Sequence, residues 1–268
     1  MVDFKKIERI KKMNKPFVVA TIIASAGSAP RKTGTSMVVF ETGEIEGSVG
    51  GGEIERKVIK EAVSLIGKGK SRTVKFNLAA GRRRKSVSTK MICGGTVDVF
   101  LNVYQPTVKL IVCGAGHIGQ KLIKLADLLE WGCEVVDNRK DFIKNLRLKN
   151  VRISVSPYEK AFKKVDADEN SAVVIVTYNH SGDAACLEGA LKTKAFYIGM
   201  IGSRNKILVN FKKIMAKGIN IDKRVYSPVG LDLGGDSPGE IALCIISEIM
   251  KVKNGRKGGH LRIRSRAQ

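Results

Sequence analysis

The apolar positions of the chain follow two rhythms, one of period two and one of period three to four. Phe17 to Ala24 (FVVATIIA) is a nearly unbroken β-branched run and predicts a buried strand. Ser36–Phe40 and Ile45–Val49 flank the turn Glu41-Thr42-Gly43-Glu44 and predict a hairpin. Val97, Val99, Leu101 and Val103 alternate strictly with other residues, as a half-buried strand requires. Helical spacing appears in two places before residue 67. Residues 3–14 read as a short basic amphipathic helix with Phe4, Ile7 and Ile10 on one face. From Glu53 to about Ile66 the face is Ile54, Val58, Ala62 and Leu65, with Glu53 and Glu55 at the electropositive start. The segment 68–90 is polar and basic, with one strand near 72–77 and the run GRRRK at 81–85.

After Gln105-Pro106-Thr107 the pattern changes. Leu110–Cys113 is an apolar run, followed by Gly114-Ala115-Gly116-His117-Ile118-Gly119. Helical spacing then links Ile118, Leu122, Leu125 and Leu129, and a second apolar run, Cys133–Val136, ends at Asp137. Further strands are expected at 151–155, 172–177 and 196–198. Helices are expected from the loop 178–183, from the turn 199–206 with Arg204 and Lys206 in the first helical turn, and from Pro238. Ser237 and Glu240 form a capping box with proline at the first helical position. The pattern predicts an α/β protein: a small N-terminal α+β domain over 1–105, then a Rossmann-like doubly wound parallel-sheet domain over 108–250. Residues 251–268 lack periodicity and carry basic but no acidic side chains, so a disordered basic tail is expected there.

Composition narrows the classes. The chain has 268 residues, 43% hydrophobic, and no apolar run long enough to span a bilayer. Its first fifteen residues are charged throughout and lack a signal-peptide core, so a cytoplasmic protein is expected. The five cysteines (93, 113, 133, 186, 244) are scattered without a CxxC, which argues against a disulfide framework or a zinc site. A net charge of +23 permits an acidic partner, a phosphorylated ligand or nucleic acid. One Trp and five Tyr, none interleaved with the basic clusters, make a dedicated nucleic-acid binder an unfavoured reading.

The strand–glycine turn–helix–strand–acid order gives the main candidate site. Gly114 permits the turn, Gly116 lets a phosphate approach the backbone, and Gly119 lets the helix pack close to the sheet. The N–H groups opening the helix would face that phosphate. Asp137 follows at about the 20-residue distance where a carboxylate can accept from a ribose diol, and Arg139 stands where a 2′-phosphate can be met. A glycine turn that binds nothing remains the alternative. At Gly202-Ser203-Arg204, Arg204 and Lys206 carry the wrong sign for a helix start, a conflict that a bound anion relieves. Ser203 as a plain N-cap is the other reading.

Five stretches together resemble the XdhC/CoxI family, accessory factors of xanthine dehydrogenase and related molybdenum hydroxylases. They are SAGSAPRKTGTSMVV, GSVGGGEIERKV, MICGGTVDVF, the GAGHIG turn, and FYIGMIGSRNK with SPVGLDLGGDSPGEIALCIISEI. The resemblance implies a carrier that binds molybdenum cofactor (molybdopterin), favours its sulfurated form and delivers it to an apo-hydroxylase. It also implies a cysteine desulfurase partner and a homodimer. The family's glycine loops fall on Gly50, Gly51 and Gly52, on Gly94 and Gly95, and on Gly114, Gly116 and Gly119 with His117. Its His-x-x-Asp falls on His180 and Asp183, its Gly-Ser-Arg turn on Gly202, Ser203 and Arg204, and its Cys-Gly-Gly cysteine on Cys93. Cys93 is read either as a sulfur-handling thiol or as a small residue in a tight turn, and His180 either as one of an oriented pair with Asp183 or as a loop histidine. The sequence departs from the family's habit at Tyr178, where a histidine is often found. The competing function is an NAD(P)-dependent oxidoreductase using the same glycine turn, although no Ser-Tyr-Lys or His-Arg catalytic set is evident.

Overall fold

A computed structural model describes residues 2–27, 31–78, 87–88, 95–144, 151–178 and 180–261, with the backbone alone at 87, 88, 180 and 181. The chain divides into two compact units, Met1–Pro106 and Thr107–Gln268.

The first unit is a mostly antiparallel six-stranded sheet. Its elements are α1 (Phe4–Lys11), β1 (Phe17–Ala26), β2 (Ser36–Phe40), β3 (Ile45–Gly47), α2 (Gly52–Ile66), β4 (Arg72–Asn77), β5 (Val87–Ser88) and β6 (Thr96–Tyr104). The sheet order is β3-β2-β1-β6-β4-β5, and only β5 pairs in parallel. α2 lays Ile54, Val58, Ala62 and Leu65 over one face, against Ala20, Ile22, Met37, Val97, Val99 and Leu101. The other face holds a smaller cluster in which Ile10 of α1 meets Phe17, Val19 and Val38. The expected apolar face of α1 is corrected at one position: Phe4 is 87% exposed. At three-residue spacing each step turns the helix back by about 60°, so Phe4 lies well round from Ile10.

The second unit carries β7 (Lys109–Cys113), α3 (His117–Leu128), β8 (Gly132–Asp137), α4 (Lys140–Lys144) and β9 (Arg152–Val155). A 3₁₀ turn (Tyr158–Lys163), β10 (Ser171–Ile175), α5 (His180–Leu191), β11 (Tyr197–Met200), α6 (Arg204–Met215), β12 (Val225–Tyr226) and α7 (Pro238–Lys253) complete it. The order is β12-β11-β10-β7-β8-β9, with every pairing parallel. This is the Rossmann arrangement, in which the strand order reverses between β7 and β10. Successive residues of each strand serve opposite layers. Leu110 and Val112 face α3 and α7, whereas Ile111 and Cys113 face α5 and α6. The predicted capping box of α7 is present: Glu240 N–H donates to Ser237 Oγ (3.3 Å), and Ser237 N–H donates to Glu240 Oε2 (3.0 Å). The helix runs to Lys253, three residues beyond the expected domain end. Among the described residues no helix is long and apolar enough to cross a membrane.

Candidate functional site

Ligands of open parallel sheets bind beyond the carboxyl ends of the strands, where the order reverses. In this chain that point lies between the loops after β7 and β10. The two loops press together at Gly114, whose φ is +113°, and a Cβ there would sit 2.4 Å from Val176 O and 2.9 Å from Thr177 Cα. Gly119 is needed for a different contact, since its Cβ would stand 2.0 Å from Gly114 O. Gly116 is different again. It caps α3 with φ −66°, and a Cβ there would meet nothing within 4 Å. The first intrahelical bond runs from Gln120 N–H to Gly116 O (2.9 Å). The N–H groups of His117, Ile118 and Gly119 therefore have no intrahelical acceptor and point out of the helix start. An anion placed above Gly116 meets those dipoles with no side chain between.

Asp137 does not present an oxygen to that space. It is fully buried, and its four hydrogen bonds are all internal. Oδ1 accepts from Arg139 N–H and from Arg139 Nε, both at 2.9 Å. Oδ2 accepts from Ala115 N–H (2.9 Å) and from Arg139 Nη2 (2.7 Å). Burial pushes the carboxyl pKa up, but the side-chain bonds from Arg139, the N–H bonds from Ala115 and Arg139, and the guanidinium charge outweigh it and hold the pKa below the usual carboxylate value. The same pairing keeps Arg139 more firmly protonated. In this arrangement the acid fastens the glycine turn to the loop after β8.

Arg139 also joins two loops across the end of β7. Its Cζ lies 4.1 Å from the Phe142 ring centroid and 4.4 Å from that of Tyr178, so the guanidinium makes cation–π contacts with both rings. Asn138 Nδ2 donates to Tyr178 Oη at 3.4 Å. Sequence reasoning missed both rings. Phe142 lies on the five-residue α4, too short to show periodicity, and Tyr178 was noted only as a departure from a family pattern. Asp183 is buried and accepts from Thr177 Oγ1 (2.7 Å), which fixes the loop between β10 and α5.

The other predicted positions disperse. His117 lines a separate cavity of about 450 Å³ with Gln120, Lys121, Lys124 and the start of α7. Gly202 (φ +155°), Ser203 and Arg204 lie after β11, two strands from β7, or about 10 Å at ordinary strand spacing. Ser203 caps α6 by backbone conformation without a side-chain bond, and Arg204 is exposed. A concavity of about 820 Å³ between the 3₁₀ turn, α5 and α6 includes Phe162, Gly189 and Ile214 but none of the predicted site residues. In the first unit, Gly50, Gly51 and Gly52 all have positive φ, and the cradle they form is filled from within. Glu55 Oε2 accepts from Ser48 Oγ (2.5 Å), Val49 N–H (3.2 Å) and Gly51 N–H (3.2 Å). Gly95 C=O accepts from Leu78 N–H (2.8 Å), at the entry to β6. Cys93, Gly94 and the side chain of His180 lie outside the described residues. Of the other cysteines, Cys113, Cys186 and Cys244 are buried and Cys133 is half-buried. Burial raises the Cys133 thiol to about 12, with the neighbouring Glu134 carboxylate adding to the shift.

Comparison with known proteins places this geometry in a lineage. The Escherichia coli (strain K12) protein YqeB is 30% identical over 96% of this chain, which spans 47% of that relative, about half its length. The E. coli molybdenum cofactor insertion chaperone PaoD is 21% identical over 88% of this chain and 83% of its own length. A crystal structure of a Bacillus halodurans protein described as a xanthine dehydrogenase superposes with a TM-score of 0.51 at 21% identity. It covers 96% of this chain and 97% of that one, a likeness that speaks for the fold alone. The XdhC Rossmann domain model matches residues 110–249, and the XdhC and CoxI family model matches residues 11–77. With a family model matching more than half of its length, and a second one ahead of it in the same order, the chain belongs to the XdhC and CoxI family.

Proposed function

We propose that the chain is an accessory protein that binds molybdenum cofactor and assists its sulfuration and insertion into a xanthine dehydrogenase-type molybdenum hydroxylase. Support for the class comes from the family and from a relative named as a molybdenum cofactor insertion chaperone. The single observation that carries the ligand reading is the contrast between Gly116 and Asp137. The helix start at Gly116 is open to an anion, while the acid that serves a dinucleotide ribose in other Rossmann folds is fully buried and fully bonded. A cofactor with a terminal phosphate and no need of a diol acceptor at that position fits such a site better than NAD or NADP does.

In this reading the N–H groups of His117, Ile118 and Gly119 hold the phosphate. Asp137 and Arg139 keep the glycine turn in place, and Thr177 and Asp183 fix the opposite wall. The bound cofactor supplies the molybdenum centre that the hydroxylase uses. Cys93 and His180 remain candidates for the sulfur end of the ligand, and Arg204 for a second anion contact. A cysteine desulfurase as sulfur source, a hydroxylase as recipient and a homodimer as working state belong to the same proposal. The test is anaerobic binding of molybdenum cofactor, NAD and NADP to wild type and Gly116→Val. Cofactor binding that is lost in the variant, without dinucleotide binding, supports the carrier. Dinucleotide binding alone moves the chain to the NAD(P)-dependent oxidoreductases and refutes it.

A further inference from the structure

At the switch point Arg139 is held on several sides. Its Nε and Nη2 are committed to Asp137, and its Cζ lies over the rings of both Phe142 and Tyr178. So bound, the guanidinium serves as a rigid charged spacer that positions two rings. Tyr178 is nevertheless 55% exposed, although one side of its ring is taken by the guanidinium. It follows directly on Thr177, whose Cα abuts the glycine turn at Gly114. An exposed aromatic ring, held flat on a loop beside a candidate phosphate site, is a contact surface.

We propose that the outer face of Tyr178, backed by Arg139, is the stacking platform for the flat amino-oxo-pyrimidine ring of the cofactor's pterin, with the phosphate end at the α3 start. The inference rests on the carrier reading above and adds the subsite for the other end of the ligand. A cation behind a ring withdraws density from its π face, which favours an electron-rich amino-oxo-pyrimidine in front of it. Planar guanidinium suits the inner layer because it stacks as well as carries charge. A nucleobase shares the flat heteroaromatic chemistry. Asp137, the acid expected to hold the ribose that accompanies a base, is buried with both oxygens bonded internally, which favours the pterin as the occupant. Arg139 is a positioning residue in this scheme and Tyr178 the contact residue.

The test uses the full chain and two probes, free pterin followed by its own fluorescence and intact molybdenum cofactor under anaerobic conditions. Variants are Tyr178→Leu, Tyr178→Phe and Gly116→Val, each checked for folding by circular dichroism. Wild type quenches pterin saturably. Tyr178→Leu weakens both probes by about ten-fold or more, the scale of one lost stacking partner. Tyr178→Phe stays within about two-fold of wild type for both, and Gly116→Val weakens the cofactor but not pterin. Cofactor affinity unchanged in Tyr178→Leu overturns the platform and leaves the carrier standing. Tyr178-dependent pterin binding without any cofactor binding supports the platform and overturns the carrier. AMP bound ten-fold more tightly than pterin overturns the assignment to a pterin.

Discussion

Replacing Asp137 by Asn tests the account of the glycine turn most directly. The substitution keeps the volume but leaves one oxygen where there were two. Whichever way the amide turns, its NH₂ group faces donors: Ala115 N–H and Arg139 Nη2 on one side, or Arg139 N–H and Nε on the other. Two charge-assisted bonds are lost and a backbone N–H is stranded, which for a fully buried pair amounts to about 3–5 kcal/mol. Arg139 keeps 30% of its side chain exposed and can turn to water, so the lower end, about 3 kcal/mol, is expected. The only tryptophan, Trp131, lies in the second unit, so its fluorescence follows that unit. With a urea slope of about 2.5 kcal/mol per molar, the midpoint falls by about 1.2 M at neutral pH. The pH dependence has a definite sign. Because the folded pKa of Asp137 is lowered, its contribution is present above the unfolded carboxylate value and is lost as pH falls through the folded one. The gap between wild type and variant is therefore flat near neutrality and narrows below about pH 4. A neutral-pH shift under about 0.3 M, or a gap that does not narrow in acid, refutes the reasoning.

Gly119→Ala forces a Cβ to 2.0 Å from Gly114 O and should cost the second unit more than about 3 kcal/mol in the same titration. Gly116→Ala meets nothing within 4 Å at an ordinary φ and should stay within about 0.5 kcal/mol of wild type. Glu55→Gln removes the charge from the triple-glycine cradle, and hydrogen exchange at Val49 and Gly51 should accelerate about ten-fold or more, the effect of about 1.5 kcal/mol. Glu248, buried on α7, accepts from Tyr197 Oη (2.5 Å) and Gly230 N–H (3.0 Å); burial, and after it the bond to the Glu248 carboxylate, pushes the Tyr197 phenol pKa well up. Glu248→Gln should cost about 1–3 kcal/mol in urea and speed exchange at Gly230, and no change at Gly230 would count against that anchor.

Much of the second unit was legible because backbone requirements leave marks in the sequence. Gly114 and Gly119 have to be glycine for contacts of 2.0 to 2.9 Å, and Ser237-Pro238-Gly239-Glu240 carries its cap in its own spelling. Elements without an autonomous pattern were not legible. β12 is two residues long and pairs only because β11 is beside it, and α4 is too short to repeat. At the site, position was readable and partnership was not. The place of Asp137 at the end of β8 follows from the strand–helix–strand spacing. That its oxygens turn inward depends on Arg139, which lies two residues on and is itself held by rings from α4 and from the loop after β10. Long-range side-chain contacts of that kind have no period.

Glu55 bears on how the chain sorts anions. The carboxylate sits four residues from Gly51 on the very helix that the triple-glycine loop opens, so it holds the Gly51 and Val49 N–H groups as a tethered ligand. Its effective concentration there is on the order of millimolar or more, and a dissolved phosphate at micromolar levels is outcompeted. At α3 the internal carboxylate reaches Ala115, one residue before the cap, and does not reach the leading N–H groups of the helix. Two similar glycine-rich helix starts thus differ in charge: one carries a carboxylate of its own helix bonded into the loop in front of it, and the other has its nearest carboxylate turned back onto Ala115 and Arg139.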